Sequence, residues 1–576
     1  MAVDVVTPQA RNLNHLVGKF LVIKVQSTGH LKRVTREGEF NYHARGLDLG
    51  ARRADPMATD GDTLHGPPGT PDDVKITSEA RKPETDPTLG IPVPPTSSAD
   101  TKHRLVTIGD SLTHGFQSLA ISKTNLSWPA IVARELGLTG SEFLYPTYEH
   151  GGLPFNLEDC VRGLRAKVGR LDLGDSPLAV MWLLHYAHEI KHWWTHEADQ
   201  SWRPPAGMND NLAVYSYDVQ TAYTRTLGEI KTSIAQHVPG LFHPLTPHDV
   251  DRAARRVLVN ANDSDTLLDV ARQHGEDGGI ETLVVALGSN NVLDVVIGLK
   301  YLWATGEQDR VHGRIWSPSF FAADWKGLIE RVRTIKADHV ILATVPHVTV
   351  VPIFAGVGNR LRLNSRYFQY YTHYWLRDSF AFGTDPCLTG AEARAIDSAI
   401  DQYNDTIVES VRQARSEGLD WYVLEMAGLL DRLASRRYLT NALARPSWWD
   451  DPDVGGGYPL PPPLDQLNPV PSTTFFEADA HGRTGGGLIA LDGVHPTTIA
   501  YGILAQEVIR VMERAGVTFP DSQGAVGQGP IDIDFGALLA EDTLVSQPPP
   551  TLTGDLHAVG WINKHIDLVA TLMRHL

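Results

Sequence analysis

The stretch His103 to Ser118 (HRLVTIGDSLTHGFQS) carries a hydroxyl in a position to do chemistry. Arg104 to Ile108 reads as a short buried strand, Gly109-Asp110 breaks it, and Ser111 follows at the break. Phe116, Leu119 and Ala120 are spaced for the apolar face of a helix that starts soon after. A hydroxyl at the carboxyl end of a buried parallel strand stands where open α/β sheets bind ligands. A helix N-terminus beside it offers free N–H groups to developing negative charge. Taken alone, the stretch reads equally well as a βα turn with ordinary turn and N-cap residues. The far end of the chain shifts that balance. Leu491 to Thr497 (LDGVHPT) sets Asp492 three residues before His495, in a Gly/Pro loop that leads into a helix. A serine hydroxyl is a poor nucleophile until a neighbouring base takes its proton, and that base needs an acid to fix its tautomer. Asp492 and His495 supply both parts from one loop.

Together, GDSL near the start and DGVHP near the end resemble the GDSL, or SGNH, family of ester hydrolases. Two further blocks resemble the family and fall in its order. Gly288-Ser289-Asn290-Asn291 is similar to its Gly-x-Asn-Asp block, whose asparagine amide faces the oxyanion. That role maps onto Asn290, with Asn291 replacing the usual aspartate. Asn211 to Tyr217 (NLAVYSY) is similar to its Asn-x-Ala-Val-x-Gly-Ala turn, which puts Ser216 where a glycine N–H would serve. Gly151 and Gly152 are the competing assignment, because they restore a glycine.

The resemblance implies a serine hydrolase acting on a small-molecule or lipid carboxylic ester through an acyl-enzyme. Ser111 would be the nucleophile, His495 the base and Asp492 its orienting acid. Ser111, Ser216 and Asn290 would supply the oxyanion donors, with no metal or other cofactor. An acyltransferase or a carbohydrate deacetylase would use the same residues. The departures at Ser216 and Asn291 keep a catalytically inactive binding protein open.

A rival motif lies between these blocks. His188-Glu189-Ile190-Lys191-His192 matches H-E-x-x-H, which on a helix sets two imidazoles one turn apart with a glutamate as base. A catalytic zinc needs a third protein ligand and an open position. His185 and His196 extend the stripe, but His196 lies eight residues from His188, about 12 Å by helical rise, so the three cannot easily share one ion. Thr195 and Ala198 occupy the positions where an extended zinc motif needs glycine and histidine. A zinc hydrolase is therefore the weaker expectation.

Strands must carry these residues to one place. Five apolar runs begin at Arg104, Asn211, Glu281, His339 and Trp421, with helical spacing between them, clearest over 390–417. This alternation predicts a three-layer α/β/α sandwich with a mostly parallel five-stranded sheet. In family terms that is the flavodoxin-like SGNH hydrolase fold carrying large insertions. The expected organisation is an N-terminal extension with a Pro/Gly-rich linker over 1–102, the hydrolase domain over 103–516, and a C-terminal tail over 517–576. Insertions are expected at about 149–210 and 436–487. The second carries Trp448, Trp449 and Tyr458, which would either wall an apolar acyl site or tuck onto the core. A strand over Leu16 to Gln26 and a terminal amphipathic helix over Ile562 to Leu576 complete the reading.

The 576 residues are 42% hydrophobic and 21% charged, ordinary values for a globular chain. A net charge of −17 argues against nucleic acid as a partner. Two cysteines, Cys160 and Cys387, cannot make a disulfide framework and read as reduced, buried thiols. No apolar run is long enough to span a bilayer. The first twenty residues lack the basic start and apolar run of a secretory leader, so a cytoplasmic location is expected, although many members of the family are secreted. The sequence carries no feature that sets an oligomeric state.

Overall fold

The computed structural model describes residues 66–94, 101–168, 177–236, 246, 248–311, 313–520 and 530–550. All of these belong to the unit Asp60–Leu576. The strand expected at Leu16 to Gln26 and the helix expected at Ile562 to Leu576 lie outside the described residues.

Five strands form one parallel sheet: β1 (His103–Gly109), β2 (Asn211–Ala213), β3 (Ile280–Ala286), β4 (Ala337–Ala343) and β5 (Trp421–Leu424), in the spatial order β2-β1-β3-β4-β5. The interior strands are apolar on both faces because helices cover both, so they read as runs rather than as alternation. All seven residues of β3 are buried, and its one charge, Glu281, accepts from Arg104 Nε at 2.8 Å. β2 is shorter than the predicted strand. Its ladder with β1 closes at Gly109 opposite Ala213, and the chain then turns.

The helices that position the site are α1 (Ser111–His114), α2 (Trp128–Glu135), α3 (Pro177–His196), α4 (Leu267–Glu276), α5 (Pro318–Val332), α6 (Gly390–Ser416) and α7 (Thr498–Ala515). α2 packs on α7 and α5 on α6, while α6 and α7 both reach β5. Right-handed crossovers in a sheet of this order send those two sets to opposite faces, so the architecture is α/β and compatible with three layers.

The helix expected across Phe116 to Ala120 is not formed. α1 stops after one turn at Gly115, whose φ of 90° is the left-handed conformation of a helix stop. Phe116–Gln117 and Ala120–Ile121 then pair as antiparallel strands, joined by Leu153–Pro154. The apolar spacing is met by burial in this small sheet, since Phe116, Leu119 and Ala120 are each at most 2% exposed. Packing has overridden the helical period.

The stretch from about Ala54 to Thr101 reads from its composition as a linker or a surface-wrapping loop, and its described part, 66–94, packs on the protein. Pro87 O accepts from Val423 N–H of the edge strand β5 (3.0 Å), and Ile91 O accepts from Arg415 Nε on α6 (2.8 Å). Arg81 pairs with Glu425 (2.8 Å). Trp448 donates its indole N–H to Ala80 O (3.1 Å) and, with Trp449 and Val454, buries beside Tyr438 and Ala80. Tyr458 donates to Glu507 (2.9 Å). These aromatics tuck onto the body of the protein.

Candidate active site

Register places the candidate residues at one end of the sheet. Gly109 lies opposite both Ala213 and Ala286, so the chain segments leaving β1, β2 and β3 emerge together with Ser111, Ser216 and Asn290 on them. The strand order is that of a doubly wound sheet whose crevice opens between β1 and β3, at the carboxyl ends. Gly109 permits the tight exit. A Cβ there would sit 2.2 Å from Thr113 Oγ1 and 3.0 Å from Ala286 O. Asp110 caps α1 by accepting the Leu112 N–H (3.1 Å), which leaves Ser111 as the first helical residue.

Ser111, His495 and Asp492 form one hydrogen-bonded line. His495 Nε2 lies 2.9 Å from Ser111 Oγ, and His495 Nδ1 lies 3.1 Å from Asp492 Oδ2. A carboxylate only accepts, so Nδ1 carries the proton and Nε2 turns its lone pair toward the hydroxyl. The Asp492 carboxylate is fully occupied. Oδ1 accepts the N–H groups of Val494 (2.9 Å) and His495 (2.8 Å), and Oδ2 also accepts from Leu119 (3.0 Å). Burial alone would raise this carboxyl. The His495 imidazole and the N–H donors of His495 and Leu119 outweigh it and hold the group below the usual carboxylate range. All three residues are buried, with Ser111 at 2% exposure.

The loop itself is fixed on several sides. Ala490 N–H donates to His495 O (2.7 Å) and Ile353 N–H to Gly493 O (3.0 Å). Leu491 N–H donates to Ser118 Oγ (3.3 Å). The Phe116 ring lies 4.6 Å from the imidazole, and Tyr374 and Phe475 stack at 3.9 Å, with Phe475 against Gly493.

The proposed oxyanion donors differ in character. Ser216 holds φ at 65°, the left-handed region that glycine favours. A serine here thus adopts the backbone conformation expected of a glycine. Asn290 Nδ2 donates to Tyr217 O (2.9 Å), tying the exit of β3 to the Ser216 turn and leaving a second N–H on the same nitrogen. Asn291 Oδ1 accepts from Val219 N–H (3.3 Å), an acceptor role that an aspartate oxygen could fill equally well. The competing glycines are placed otherwise. Gly152 N–H is already given to Glu149 O (3.1 Å), and a Cβ on Gly152 would strike Ile121 O. Both glycines lead into the small sheet.

Two polar residues beside the site were not singled out in the sequence. His114 sits one turn from Ser111, accepts the Tyr215 N–H on Nδ1 (3.2 Å) and turns Nε2 to Tyr148 Oη (2.8 Å). Burial pushes its pKa down to about 3, so the imidazole stays neutral. It anchors the residue before Ser216. Asp110 is pushed up to about 6, chiefly by burial, against the Leu112 N–H and the nearby His495. The residue types were visible in SLTHG and GDS, but burial, which gives them their roles, was not.

The H-E-x-x-H stripe lies on the exposed side of α3. Glu189 lies 3.2 Å from His185 Nε2, and His192 lies 3.5 Å from Glu197; His185, Glu189 and His192 are about half exposed. Among the described residues, the three-ligand grouping that exists does not include these histidines. Cys160 is buried and Cys387 half-buried, and neither is in a disulfide. A cavity of about 460 Å³, lined by residues such as Phe143, Tyr145, Trp202 and Arg256, touches none of Ser111, Ser216, Asn290, Asp492 or His495. No helix among the described residues is long and apolar enough to cross a membrane.

Comparisons with models of protein families, with curated proteins and with solved structures each find no match.

Proposed function

We propose that the chain is a serine hydrolase of carboxylic esters, of the GDSL or SGNH kind, with its domain over 103–516 extended by insertions at 149–210 and 436–487. The observation that carries this reading is the line from Asp492 through His495 to Ser111 (3.1 and 2.9 Å), set at the carboxyl end of β1. Ser111 Oγ attacks the ester carbonyl while His495 Nε2 takes its proton. The resulting imidazolium is held by Asp492, whose depressed pKa keeps it ionised. The oxyanion lies against the N–H groups of Ser111 and Ser216 and the remaining amide N–H of Asn290. His495 then returns the proton to the departing alkoxide, and water activated by the same nitrogen releases the acid.

The test is hydrolysis of p-nitrophenyl esters from acetate to palmitate by wild type, Ser111→Ala and His495→Ala, with and without EDTA. The expected result is activity that persists in EDTA and falls on the order of 10⁶-fold in kcat in each variant. Activity lost to EDTA but kept in Ser111→Ala would overturn the reading, and so would a chain inactive on every ester. The chain-length profile sizes the acyl site.

A further inference from the structure

The opposite end of the sheet holds a second cluster that the ester chemistry does not use. His103 opens β1, Asp210 immediately precedes β2, and His274 lies in the last turn of α4. One ligand atom from each lies within 4.8 Å of the other two, and the two imidazole centroids are 4.2 Å apart. The hydrogen bonds around them fix which nitrogens are left. His103 Nδ1 faces Asp210 Oδ1 (2.9 Å), and His274 Nε2 faces the Asn209 carbonyl (2.9 Å). Both partners accept only, so these two nitrogens carry the protons. His103 Nε2 and His274 Nδ1 are thereby left as bare lone pairs, and both are buried with no hydrogen-bond partner. Two buried acceptors side by side without a donor cost free energy unless something electron-poor lies between them.

We propose that His103 and His274 bind a first-row divalent cation such as zinc, with the Asp277 carboxylate at the rim as a third protein ligand and Asp210 holding the His103 ring from its other nitrogen. An imidazole that gives one N–H to a carboxylate or backbone carbonyl and its other nitrogen to a metal is the usual arrangement of histidine ligands, and both rings have it here. Mixed imidazole and carboxylate donors suit zinc and its neighbours. Asp210 Oδ2 accepts the Leu144 N–H (2.7 Å), which holds that carboxylate in place. Asp277 Oδ2, which pairs with Lys102 Nζ (2.5 Å), lies 4.0 Å from His103 Nε2, and its side chain is 62% exposed, so the cation reaches the rings from the rim and takes the place of the lysine. The ion would tie the starts of β1 and β2 to the end of α4. His103 and Gly109 are six residues apart along β1, about 20 Å, so this site is separate from Ser111 and its role is structural.

The experiment uses the full-length protein, stripped with EDTA and titrated with zinc chloride by calorimetry, and crystals of wild type soaked in zinc and measured at its absorption edge. One zinc per chain is expected, with its anomalous peak between His103 and His274 and a rise in melting temperature that EDTA reverses. His103→Ala and His274→Ala should each weaken binding by more than the roughly 10–100-fold that loss of an outer supporting partner costs. The double variant His188→Ala/His192→Ala on the exposed face of α3 should bind as wild type does. No stoichiometric binding, or an ion found on α3 and abolished by that double variant, would overturn the proposal. If either alanine variant fails to fold, the position of the anomalous peak in wild type decides.

Discussion

At the scale of residues, two buried groups flanking Ser111 pull stability in opposite directions with pH. His114 is neutral in the native state because burial lowers its pKa to about 3, against about 6.5 unfolded. Its contribution is present above pH 6.5 and lost as pH falls toward 3, about 5 kcal/mol over the whole range. Asp110 is raised to about 6 by burial, against about 3.9 unfolded, so its contribution is present below pH 4 and lost as pH rises through 6, about 3 kcal/mol. Between pH 4 and 6 the two partly cancel. Urea denaturation at a series of pH values should therefore show a steeper acid loss in Asp110→Asn than in wild type, and a shallower one in His114→Gln. Parallel curves for all three proteins would show that neither group is perturbed as described. The hydrogen-bonded line of Ser111, His495 and Asp492 was legible in the sequence because the chemistry proposed for it fixes the residue types. His114 was not, since an imidazole becomes a positioning group only through neighbours, here Tyr215 and Tyr148, that are distant in the chain.

At the scale of elements, the two turns that deliver the site depend on backbone fit. Gly109→Ala would drive a Cβ into Thr113 and toward Ala286 O. It is expected to cost about 1–3 kcal/mol of stability and to lower kcat by moving Ser111 away from His495. Unchanged turnover in a destabilised variant would separate the turn from the chemistry. Ser216→Gly relieves a left-handed residue, a conformation that costs roughly 1–2 kcal/mol in a residue with a Cβ, against 0.5–1 kcal/mol of glycine entropy. A net gain of up to about 1.5 kcal/mol with turnover retained is the expected outcome, read from paired denaturation and kinetic measurements. The strands were predictable because helices on both faces demand continuous apolar runs. The helix expected after Ser111 was not formed because Phe116 and Leu119 satisfy their burial in a small sheet, where Leu119 N–H also reaches Asp492. Spacing alone does not distinguish those two ways of burying the same side chains.

At the scale of the whole molecule, the sheet ends in β2 and β5, and the band of residues 66–94 crosses α6 and reaches the outer edge of β5 at Pro87. Edge strands left bare invite pairing with another chain. A protein beginning at Thr101 should melt at a lower temperature and self-associate in a concentration-dependent way by light scattering. A truncated protein as stable and as monodisperse as the full chain would show that the band contributes nothing. The composition of this region, rich in Pro, Gly and Asp, indicated a segment without regular structure, and a segment without regular structure still buries Val74 and Ala80. Its contacts with the rest of the protein reach residues 231 to 369 positions later, which local patterning cannot register.

The same long separations bear on how the protein is made. Ser111 and the imidazole beside it are 384 positions apart in the chain. A ribosome adding about 5–20 residues per second needs about 20–80 s to cover that distance. Throughout that interval Ser111 exists without the imidazole that it meets, and Pro87 waits for Val423. Ser111 is thus translated long before the residue that holds it, and the hydroxyl acquires its partner only once His495 has left the exit tunnel.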